Sequence, residues 1–303
     1  MMNKLDIRLS LCGILFQKTD SKLLPKQLQE ILEEPCLHTI FTPNPEILVA
    51  TWEKPEYLKT LQSATLHLPD GVGLLWATTF LAHTKEMKSS LQIVWEFFKT
   101  YSALLLAKHS LKKYIPETLP GSDTWETLHK ICEDEKASVF YLGGEHGVSE
   151  NIIPVMQKEY PNISYVGASG AFPFRSAEDN QQLLEEISLA RPQIVFVCLG
   201  APKQETWIMQ NFEALEKAGV RIALGLGGTI DFAVGKAKRA PRVFRSFGLE
   251  WLWRLLLEPW RWKRILTAVF YFPWKILVKR LRNEKDLLIL FPPLDKTNED
   301  RRR

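Results

Sequence analysis

The sequence predicts an α/β fold, namely a Rossmann-like, mostly parallel sheet with helices on both faces. Short apolar runs of strand length alternate with helical stretches along most of the chain. Most of these runs stop at glycine, proline or a small polar residue, as strands do where they enter a loop. Right-handed crossovers between parallel strands place such loops at one edge of the sheet, where α/β folds bind ligands.

The clearest predicted strand begins at Gln193, reads Gln-Ile-Val-Phe-Val-Cys-Leu and stops at Gly200. A continuous run of apolar and β-branched residues indicates a parallel strand that is covered on both faces. The loop beyond it reaches Pro202, which favours a helix start, and presents Lys203, Gln204 and Glu205. We expect these three side chains to bind nucleotide or sugar. The alternative is that they only cap the helix.

Five further runs predict strands of the same sheet, and they cover residues 38–41, 65–68, 139–142, 163–166 and 221–224. Between strands, residues 177–190 predict a helix. Ser176 is its predicted N-cap, and Asp179 completes an acidic variant of the capping box. We expect one crevice where the loops after the strands meet. Its predicted lining is Thr42, Asn44, Asp70, the Gly143 turn and the Lys203 loop.

Length and composition are typical of a globular chain with one large α/β domain and an appendage. The chain has 303 residues, 46% of them hydrophobic, and a net charge of +4. We expect an α/β core over residues 1–235 that contains an apolar helical insertion at about 80–114. A basic, tryptophan-rich appendage is expected over 236–290, followed by a disordered tail over 291–303.

The predicted appendage combines basic and aromatic side chains. Between residues 236 and 282 the only acidic residues are Glu250 and Glu258, and half of the ten tryptophans lie in this segment. Such a mixture is typical of a membrane surface, a packed helical subdomain or a nucleic-acid interface. No apolar run there reaches the ~20 residues that a spanning helix needs. We expect a helical, membrane-associating appendage that meets anionic lipid, and no nucleic-acid partner.

A second apolar stretch covers residues 91–108. It is unusually apolar for a surface insertion, and three interpretations remain open. It can be a core helix, an interfacial helix or the contact of a homo-oligomer.

The sequence lacks the motifs of several function classes. Its four cysteines have no metal-ligand spacing and predict reduced, buried thiols, and its six histidines form no paired motif. It contains no Asp-X-Asp, no Gly-X-Gly-X-X-Gly and no phosphate-loop motif. We therefore expect no metal and no cofactor, and a cytoplasmic chain without a signal peptide. Any diphosphate chemistry would then depend on arginine, lysine and backbone donors.

Six motifs occur in order between roughly residues 5 and 270. They cover residues 42–46, 68–73, 121–123, 141–144, 200–207 and 239–259. Together they resemble the WecG/TagA/CpsF glycosyltransferases. The resemblance implies transfer of an N-acetylmannosamine-type sugar from a UDP-sugar to undecaprenyl-diphosphate-linked N-acetylglucosamine, with inversion and without a metal. It further implies a role in cell-surface polysaccharide or wall teichoic acid synthesis, peripherally at the inner face of the cell membrane.

By this resemblance the catalytic base maps to Asp70. An inverting transfer needs a carboxylate that takes the proton of the attacking hydroxyl, and Asp70 follows a predicted strand. The alternative is a plain Asp-Gly turn. Thr42 and Asn44 are expected to hydrogen-bond sugar hydroxyls or to orient Asp70. Their alternative role is a turn and a helix cap.

The appendage supplies arginines that map by resemblance to Arg254, Arg261 and Arg264. Their helical spacing allows them to share one face and to neutralise the leaving diphosphate, whereas the alternative is lipid contact alone. The further candidates for substrate binding are Gly71, Gly121, Ser122, Asp123, Gly143, Gly144, Lys203, Gln204, Glu205 and Arg239.

Two positions depart from the family pattern. Thr118 stands where the family usually has arginine, and Pro120 stands where it has threonine. Two other functions compete with the glycosyltransferase interpretation. A nucleotide-dependent oxidoreductase is disfavoured because the dinucleotide fingerprint is absent. A peripheral membrane scaffold on a degenerate fold is the non-enzymatic alternative.

Overall fold

The computed structural model describes residues 7–106, 108–144, 148–170, 176–235, 241, 250–257, 259 and 262–291. Its centre is a six-stranded sheet in the order β4-β3-β8-β7-β5-β6, in which every neighbouring pair is parallel. The strands are β1 (Ile7–Leu11), β2 (Ile14–Gln17), β3 (His38–Phe41), β4 (Leu66–His67), β5 (Ser138–Gly143), β6 (Ser164–Ser169), β7 (Ile194–Cys198), β8 (Ile222–Gly225) and β9 (Leu288–Leu290). The predicted α/β class is confirmed, and all six predicted runs form strands of this sheet.

Helices cover both faces of the sheet. They are α1 (Leu24–Glu33), α2 (Pro45–Glu53), α3 (Pro55–Gln62), α4 (Val72–Thr84), α5 (Ser90–Leu106), α6 (Gly121–Glu135), α7 (Ser149–Glu159), α8 (Ala177–Ala190), α9 (Lys203–Gln210), α10 (Phe212–Lys217), α11 (Thr229–Ala233), α12 (Glu250–Leu257), α13 (Trp262–Leu266) and α14 (Phe272–Leu281). A π-helical turn, Thr267–Tyr271, joins α13 to α14. One hydrophobic core lies between the sheet and α2 to α5, α8 to α10 and α14, and the other lies under α1, α6, α7 and α11.

Helix α8 forms over the predicted residues. The hydroxyl of Ser176 accepts a hydrogen bond from the amide of Asp179 at 3.0 Å, so the predicted N-cap is confirmed. Leu183 and Ile187 lie on one helix face and are buried in the core.

A second, three-stranded sheet in the order β2-β1-β9 was not predicted. Gln17 in β2 connects it to the edge of the central sheet. The Gln17 side-chain amide donates to the carbonyl of Thr65 at 3.1 Å, and its oxygen accepts from the amide of His67 at 3.0 Å. These bonds occupy backbone groups of the edge strand β4, which would otherwise be open to pairing with another chain.

The C-terminal segment returns to the core. Phe272 and Ile276 of α14 are fully buried, and the Phe272 ring stacks on Trp52 with centroids 5.9 Å apart. Strand β9 pairs with β1, which lies near the other end of the chain. The predicted appendage is therefore not confirmed as a separate unit, because its last helix and strand complete the fold.

Arg280 of α14 forms hydrogen bonds with residues at and just beyond the end of α4. The guanidinium is buried and donates to the Thr84 and Met87 carbonyls, to the Thr84 hydroxyl and to the side chain of Asn283. A buried cation is tolerated when its donors are used in this way. Sequence analysis missed this residue, since nothing in its neighbourhood marks it as different from the other basic residues of the segment.

Helix α5, within the predicted insertion, has two faces. Phe97 is buried and meets the Trp76 ring edge-on at 5.4 Å, so the core-helix interpretation is confirmed for one face. The opposite face carries Leu91, Trp95 and Phe98, which are 83%, 71% and 63% exposed. Among the described residues, no helix combines the length and the apolar character that a bilayer crossing requires.

All four cysteines are reduced thiols, as predicted, but their burial is only partly as predicted. Cys132 and Cys198 are buried, Cys12 is half-buried and Cys36 is exposed. The prediction is wrong for Cys36 because this residue lies in the connection between α1 and β3, outside both cores.

Candidate functional site

The loops that follow the parallel strands share the carboxyl edge of the central sheet. From β5 the chain proceeds to β6 on one side, and from β7 it proceeds to β8 on the other. The connections therefore diverge between β5 and β7, which is the usual place of a ligand crevice in such sheets. The candidate residues that follow the strands lie at this edge, as the sequence predicted.

Asp70 lies beside the loop that follows β3. Its amide donates to the carbonyl of Pro43 at 2.9 Å, which continues the pairing of β4 with β3 beyond the last strand residue. Gly71 follows with φ of 98°, a conformation that a residue with a side chain rarely adopts. Asp70 itself is half-buried, so its carboxylate stands at the edge of the sheet and not in the core.

Thr42 and Asn44 hold the loop after β3. The Thr42 hydroxyl is buried and donates to the carbonyl of Gly225 at 3.5 Å, on the neighbouring strand β8. The side-chain oxygen of Asn44 accepts from the amide of Ile47 at 3.0 Å, so Asn44 is the N-cap of α2. Asn44 therefore acts as a helix cap, which is one of the two roles expected for it. It lies two residues after Thr42 in the same loop.

The start of α6 approaches the same loops. The amide of Leu119 donates to the carbonyl of Pro69 at 2.8 Å, directly before Asp70. Gly121, the first residue of α6, is buried, and a methyl group there would lie 3.5 Å from the Thr229 hydroxyl and 3.8 Å from the Thr42 hydroxyl. The N-terminus of this long helix therefore faces the ends of β3 and β8.

Ser122 and Asp123 occupy the first turn of α6 and are half-buried. The Ser122 hydroxyl donates to the Asp123 carboxylate at 3.4 Å. Pro120, one of the two departures from the family pattern, is the N-cap residue, and its carbonyl accepts from the amides of Asp123 and Thr124. The helix therefore starts normally at the departure, without a side-chain cap.

Gln204 connects two loops of the edge. Its side-chain oxygen accepts from the amides of Gly200 at 3.2 Å and Gly227 at 2.8 Å, and its nitrogen donates to Glu205 at 2.8 Å. Gln204 is 3% exposed and Glu205 is fully buried, whereas Lys203 is exposed. Lys203 is therefore the member of this triplet whose side chain reaches solvent, and Gln204 fixes the backbone around it.

Glu205 is isolated from solvent. Burial raises its pKa, while hydrogen bonds from the Gln204 amide and from its own backbone oppose the rise. Burial also raises the pKa of Tyr57. The Glu205 carboxyl group is consequently suited to holding Gln204 in place, and it is not exposed to a ligand.

The Gly143-Gly144 turn lies where the two connections diverge. The amide of Gly144 donates to the carbonyl of Cys198 at 3.1 Å. A methyl group at Gly143 would lie 2.7 Å from the same carbonyl oxygen, closer than real contacts allow. Only glycine permits this approach between the ends of β5 and β7.

One of the predicted C-terminal arginines reaches the carboxyl edge. Arg264 donates through Nε to the carboxylate of Glu46 at 2.6 Å, and its side chain is 58% exposed. Glu46 lies in the first turn of α2, two residues after Asn44. Arg239 and Arg261 lie outside the described residues, and of Arg254 only the backbone, in α12, is described.

Sequence analysis missed two residues of this edge. Thr229 is buried beside Gly121, and only the neighbouring glycine cluster pointed to it. Glu46 belongs to the motif of residues 42–46, but its partner Arg264 lies 218 positions away in the sequence. A local sequence pattern cannot indicate a contact between two residues so far apart in the chain.

The chain is similar to known proteins over most of its length. The family model described as "Glycosyl transferase WecG/TagA/CpsF family" matches residues 9–103 and 101–286. The N-acetylglucosaminyldiphosphoundecaprenol N-acetyl-beta-D-mannosaminyltransferase of Bacillus subtilis (strain 168) is 30% identical over 257 residues, which are 85% of this chain and 84% of the relative. Proteins of the same name from Staphylococcus aureus (strain MRSA252) and Bacillus spizizenii are 26% and 29% identical.

The Staphylococcus match covers 92% of this chain and 95% of the relative, and the Bacillus spizizenii match covers 77% and 76%. The matched residues include both the central sheet and α14, so they are not confined to one motif. The chain therefore belongs to the WecG/TagA/CpsF family of glycosyl transferases.

Proposed function

We propose that this glycosyl transferase moves an N-acetylmannosamine-type sugar from a UDP-sugar to the N-acetylglucosamine of an undecaprenyl-diphosphate-linked acceptor. The names of the relatives support the transferred sugar and the acceptor. The observation that carries the proposal is the meeting of Asp70, the Thr42 to Asn44 loop and the start of α6 at one edge of the sheet. The product would be a lipid-linked disaccharide for cell-surface polysaccharide or wall teichoic acid.

In the proposed reaction Asp70 acts as the general base. Its carboxylate takes the proton of the attacking acceptor hydroxyl, and the hydroxyl oxygen forms a bond to the anomeric carbon of the donor. The bond from that carbon to the diphosphate breaks on the opposite side, so UDP leaves and the configuration inverts. A half-buried carboxylate at a strand end can meet this requirement, because it remains accessible while its backbone is fixed by Pro43.

The leaving diphosphate needs positive charge or hydrogen-bond donors. Lys203 is exposed at the end of β7, and the N-terminus of α6 contributes a favourable helix dipole near Thr42. Arg264 has five N–H donors, of which the Glu46 contact uses the one on Nε. These groups support a transfer that is independent of a metal, since cations of the protein would take the role of a divalent ion.

An exposed aromatic face supports peripheral attachment at the inner face of the cell membrane. Trp262, Leu266, Phe270 and Trp274 recur every four residues and are 49%, 43%, 61% and 59% exposed. This spacing puts them on one helical face, which we call the aromatic face. Aromatic side chains with neighbouring lysines are typical of helices that lie in the lipid headgroup region, and Lys263 is such a neighbour.

Helix α5 is the second proposed contact with the membrane. The Tyr101 hydroxyl donates to the carbonyl of Val269, so α5 lies against the segment that carries the aromatic face. The exposed Leu91, Trp95 and Phe98 of α5 would then add a second apolar contact with the membrane. A homo-oligomer that covers these side chains is the competing outcome, and its test is the oligomeric state of the chain in detergent.

The direct test is transfer of radiolabel from a panel of UDP-sugars to a short-lipid diphosphate acceptor that carries N-acetylglucosamine. We expect label transfer from UDP-N-acetylmannosamine and the opposite anomeric configuration in the product. The reaction should persist in excess EDTA. Loss of activity that Mg²⁺ or Mn²⁺ restores would contradict metal independence, and no transfer with any donor would favour a scaffold role.

A further inference from the structure

A group of potential metal ligands lies at the amino edge of the sheet, opposite the candidate active site. Glu34, Cys36 and His38 follow the end of α1 and lead into β3, and their ligand atoms all lie within 4.8 Å of one another. His38 Nε2 lies 3.2 Å from Cys36 Sγ and 3.1 Å from Glu34 Oε2, and the sulfur lies 3.7 Å from that carboxylate oxygen. None of these side chains has a part in the proposed sugar transfer.

The separations match those of a tetrahedral zinc site. With Zn–S near 2.3 Å, Zn–N near 2.0 Å and Zn–O near 2.1 Å, neighbouring ligand atoms are about 3.4 to 3.6 Å apart. Each observed separation differs from this range by less than about 0.4 Å. Small side-chain rotations would therefore suffice to admit the ion at the centre of the group.

We propose that Glu34, Cys36 and His38 bind one Zn²⁺ ion. A thiolate together with an imidazole favours zinc over Mg²⁺ or Ca²⁺, which prefer oxygen ligands. Cys36 is exposed, so water can complete the fourth position. Binding requires the deprotonated thiol, whose proton is released to solvent.

The backbone between α1 and β3 positions the three ligands. The ligands occupy alternate positions of the connection from α1 to β3, where the chain bends at residues 34–36, and this connection brings their ligand atoms within 4.8 Å of one another. The amide of His38 donates to the carbonyl of Arg221 at 2.7 Å, which fixes the first residue of β3, and its side chain is buried. Glu216 accepts from the amide of Leu37 at 3.3 Å and adds a further carboxylate beside the group.

The position of the site indicates its role. Zinc would join the end of α1 to the start of β3, the strand whose other end carries Thr42. It would thus stabilise the fold without contacting the substrates. Cysteine spacing alone does not indicate the site, because the pattern here is Glu-X-Cys-X-His and contains no pair of cysteines.

The test is titration of the metal-free, reduced full chain with Co²⁺, which reports thiolate ligation by a near-ultraviolet charge-transfer band. We expect one equivalent of Co²⁺ to bind, Zn²⁺ to displace it, and both Cys36→Ser and Glu34→Gln to weaken binding at least tenfold. Cys12→Ser is the matched control and should retain the band, since Cys12 lies in the β1–β2 turn. Circular dichroism verifies that each variant is folded.

Absence of a charge-transfer band in the folded wild-type chain would overturn the proposal, as would a band that persists in Cys36→Ser. A second measurement uses the thiol itself. Zn²⁺ should protect Cys36 from a thiol reagent in the wild-type chain, and Glu34→Gln should lose much of this protection. Unchanged reactivity with Zn²⁺ would also contradict the site. These outcomes are independent of sugar transfer, so they do not depend on the proposed function.

Discussion

Arg264 and Glu46 lie 218 positions apart in the sequence, and their side chains meet at 2.6 Å. The pair joins α13, which carries part of the aromatic face, to the first turn of α2, beside the loop of Thr42 and Asn44. The proposed membrane attachment and the proposed sugar transfer would therefore be coupled through one short segment.

Replacement of Arg264 tests its role in neutralising the diphosphate. We expect Arg264→Gln to reduce kcat/KM about 10- to 100-fold, because a charge-assisted hydrogen bond is worth about 1.5–3 kcal/mol. Lys263→Gln is the matched control, since it removes the same charge from the adjacent exposed residue. Both variants should lose vesicle affinity equally. Equal loss of transfer in the two variants would instead mean that the segment contributes charge alone.

Asp70→Asn tests the general base. We expect transfer to fall by two to four orders of magnitude while the melting temperature stays close to that of the wild type, because general bases contribute about 10²- to 10⁴-fold. Asp134→Asn is the control, since Asp134 is exposed near the far end of α6. Near-normal turnover of Asp70→Asn would remove Asp70 from the mechanism.

The aromatic face is expected to bind anionic vesicles. Substituting Phe270 and Trp274 together by alanine should weaken binding at least tenfold, since burial of a large apolar side chain is worth about 1.5–3 kcal/mol. Leu189→Ala is the control, because Leu189 is 86% exposed on α8, away from this segment. Binding should also weaken with salt, which limits electrostatic attraction to about 8 Å at physiological ionic strength. Unchanged sedimentation with vesicles would refute the membrane proposal.

Gln204→Ala tests whether this side chain holds the loops after β7 and β8. The substitution leaves the amides of Gly200 and Gly227 without their partner, so we expect the free energy of unfolding to fall by about 2–4 kcal/mol. Gln210→Ala is the control at an exposed position of the same helix. Transfer at low temperature, where both variants are folded, should be impaired only in Gln204→Ala. If Gln204→Ala were as stable as Gln210→Ala, the Gln204 side chain would not hold these loops in place.

His129 should make folding sensitive to acid. Its Nδ1 donates to the Trp125 carbonyl at 2.7 Å and its Nε2 accepts from the Tyr141 hydroxyl at 2.8 Å, an arrangement of the neutral ring. Burial lowers its pKa from 6.5 to about 4, so between these values the unfolded chain binds a proton that the folded chain does not. Stability is therefore complete above pH 6.5 and falls as pH decreases, by about 3 kcal/mol near pH 4.

The measurement is denaturant unfolding between pH 7 and pH 4.5. His129→Gln should give a shallower loss of stability with decreasing pH than the wild type, even if it is less stable at pH 7. His67, whose pKa burial also lowers to about 4, remains in the variant and preserves part of the slope. Identical slopes in the two proteins would show that His129 does not titrate in this range.

The sequence alone determined the α/β class, the six parallel strands and the loops that carry the candidate site. These features are local. A continuous apolar run predicts a strand such as 194–198, and Ser176 with Asp179 predicts the cap of α8. The order of motifs likewise determined the family. Because parallel strands end at one edge, the position of Asp70, Thr42 and Lys203 at that edge also followed from the pattern.

Tertiary structure alone decided which distant residues meet. The pairing of β9 with β1, the burial of Phe272 against Trp52 and the contact of Arg264 with Glu46 each join segments far apart in the chain. Their local sequences resemble those of surface helices and strands, since a partner many positions away leaves no periodic signal. Lys203, Gln204 and Glu205 are adjacent polar residues, but only Lys203 is exposed. The helix turns Gln204 and Glu205 toward the core, and the local sequence does not show this difference.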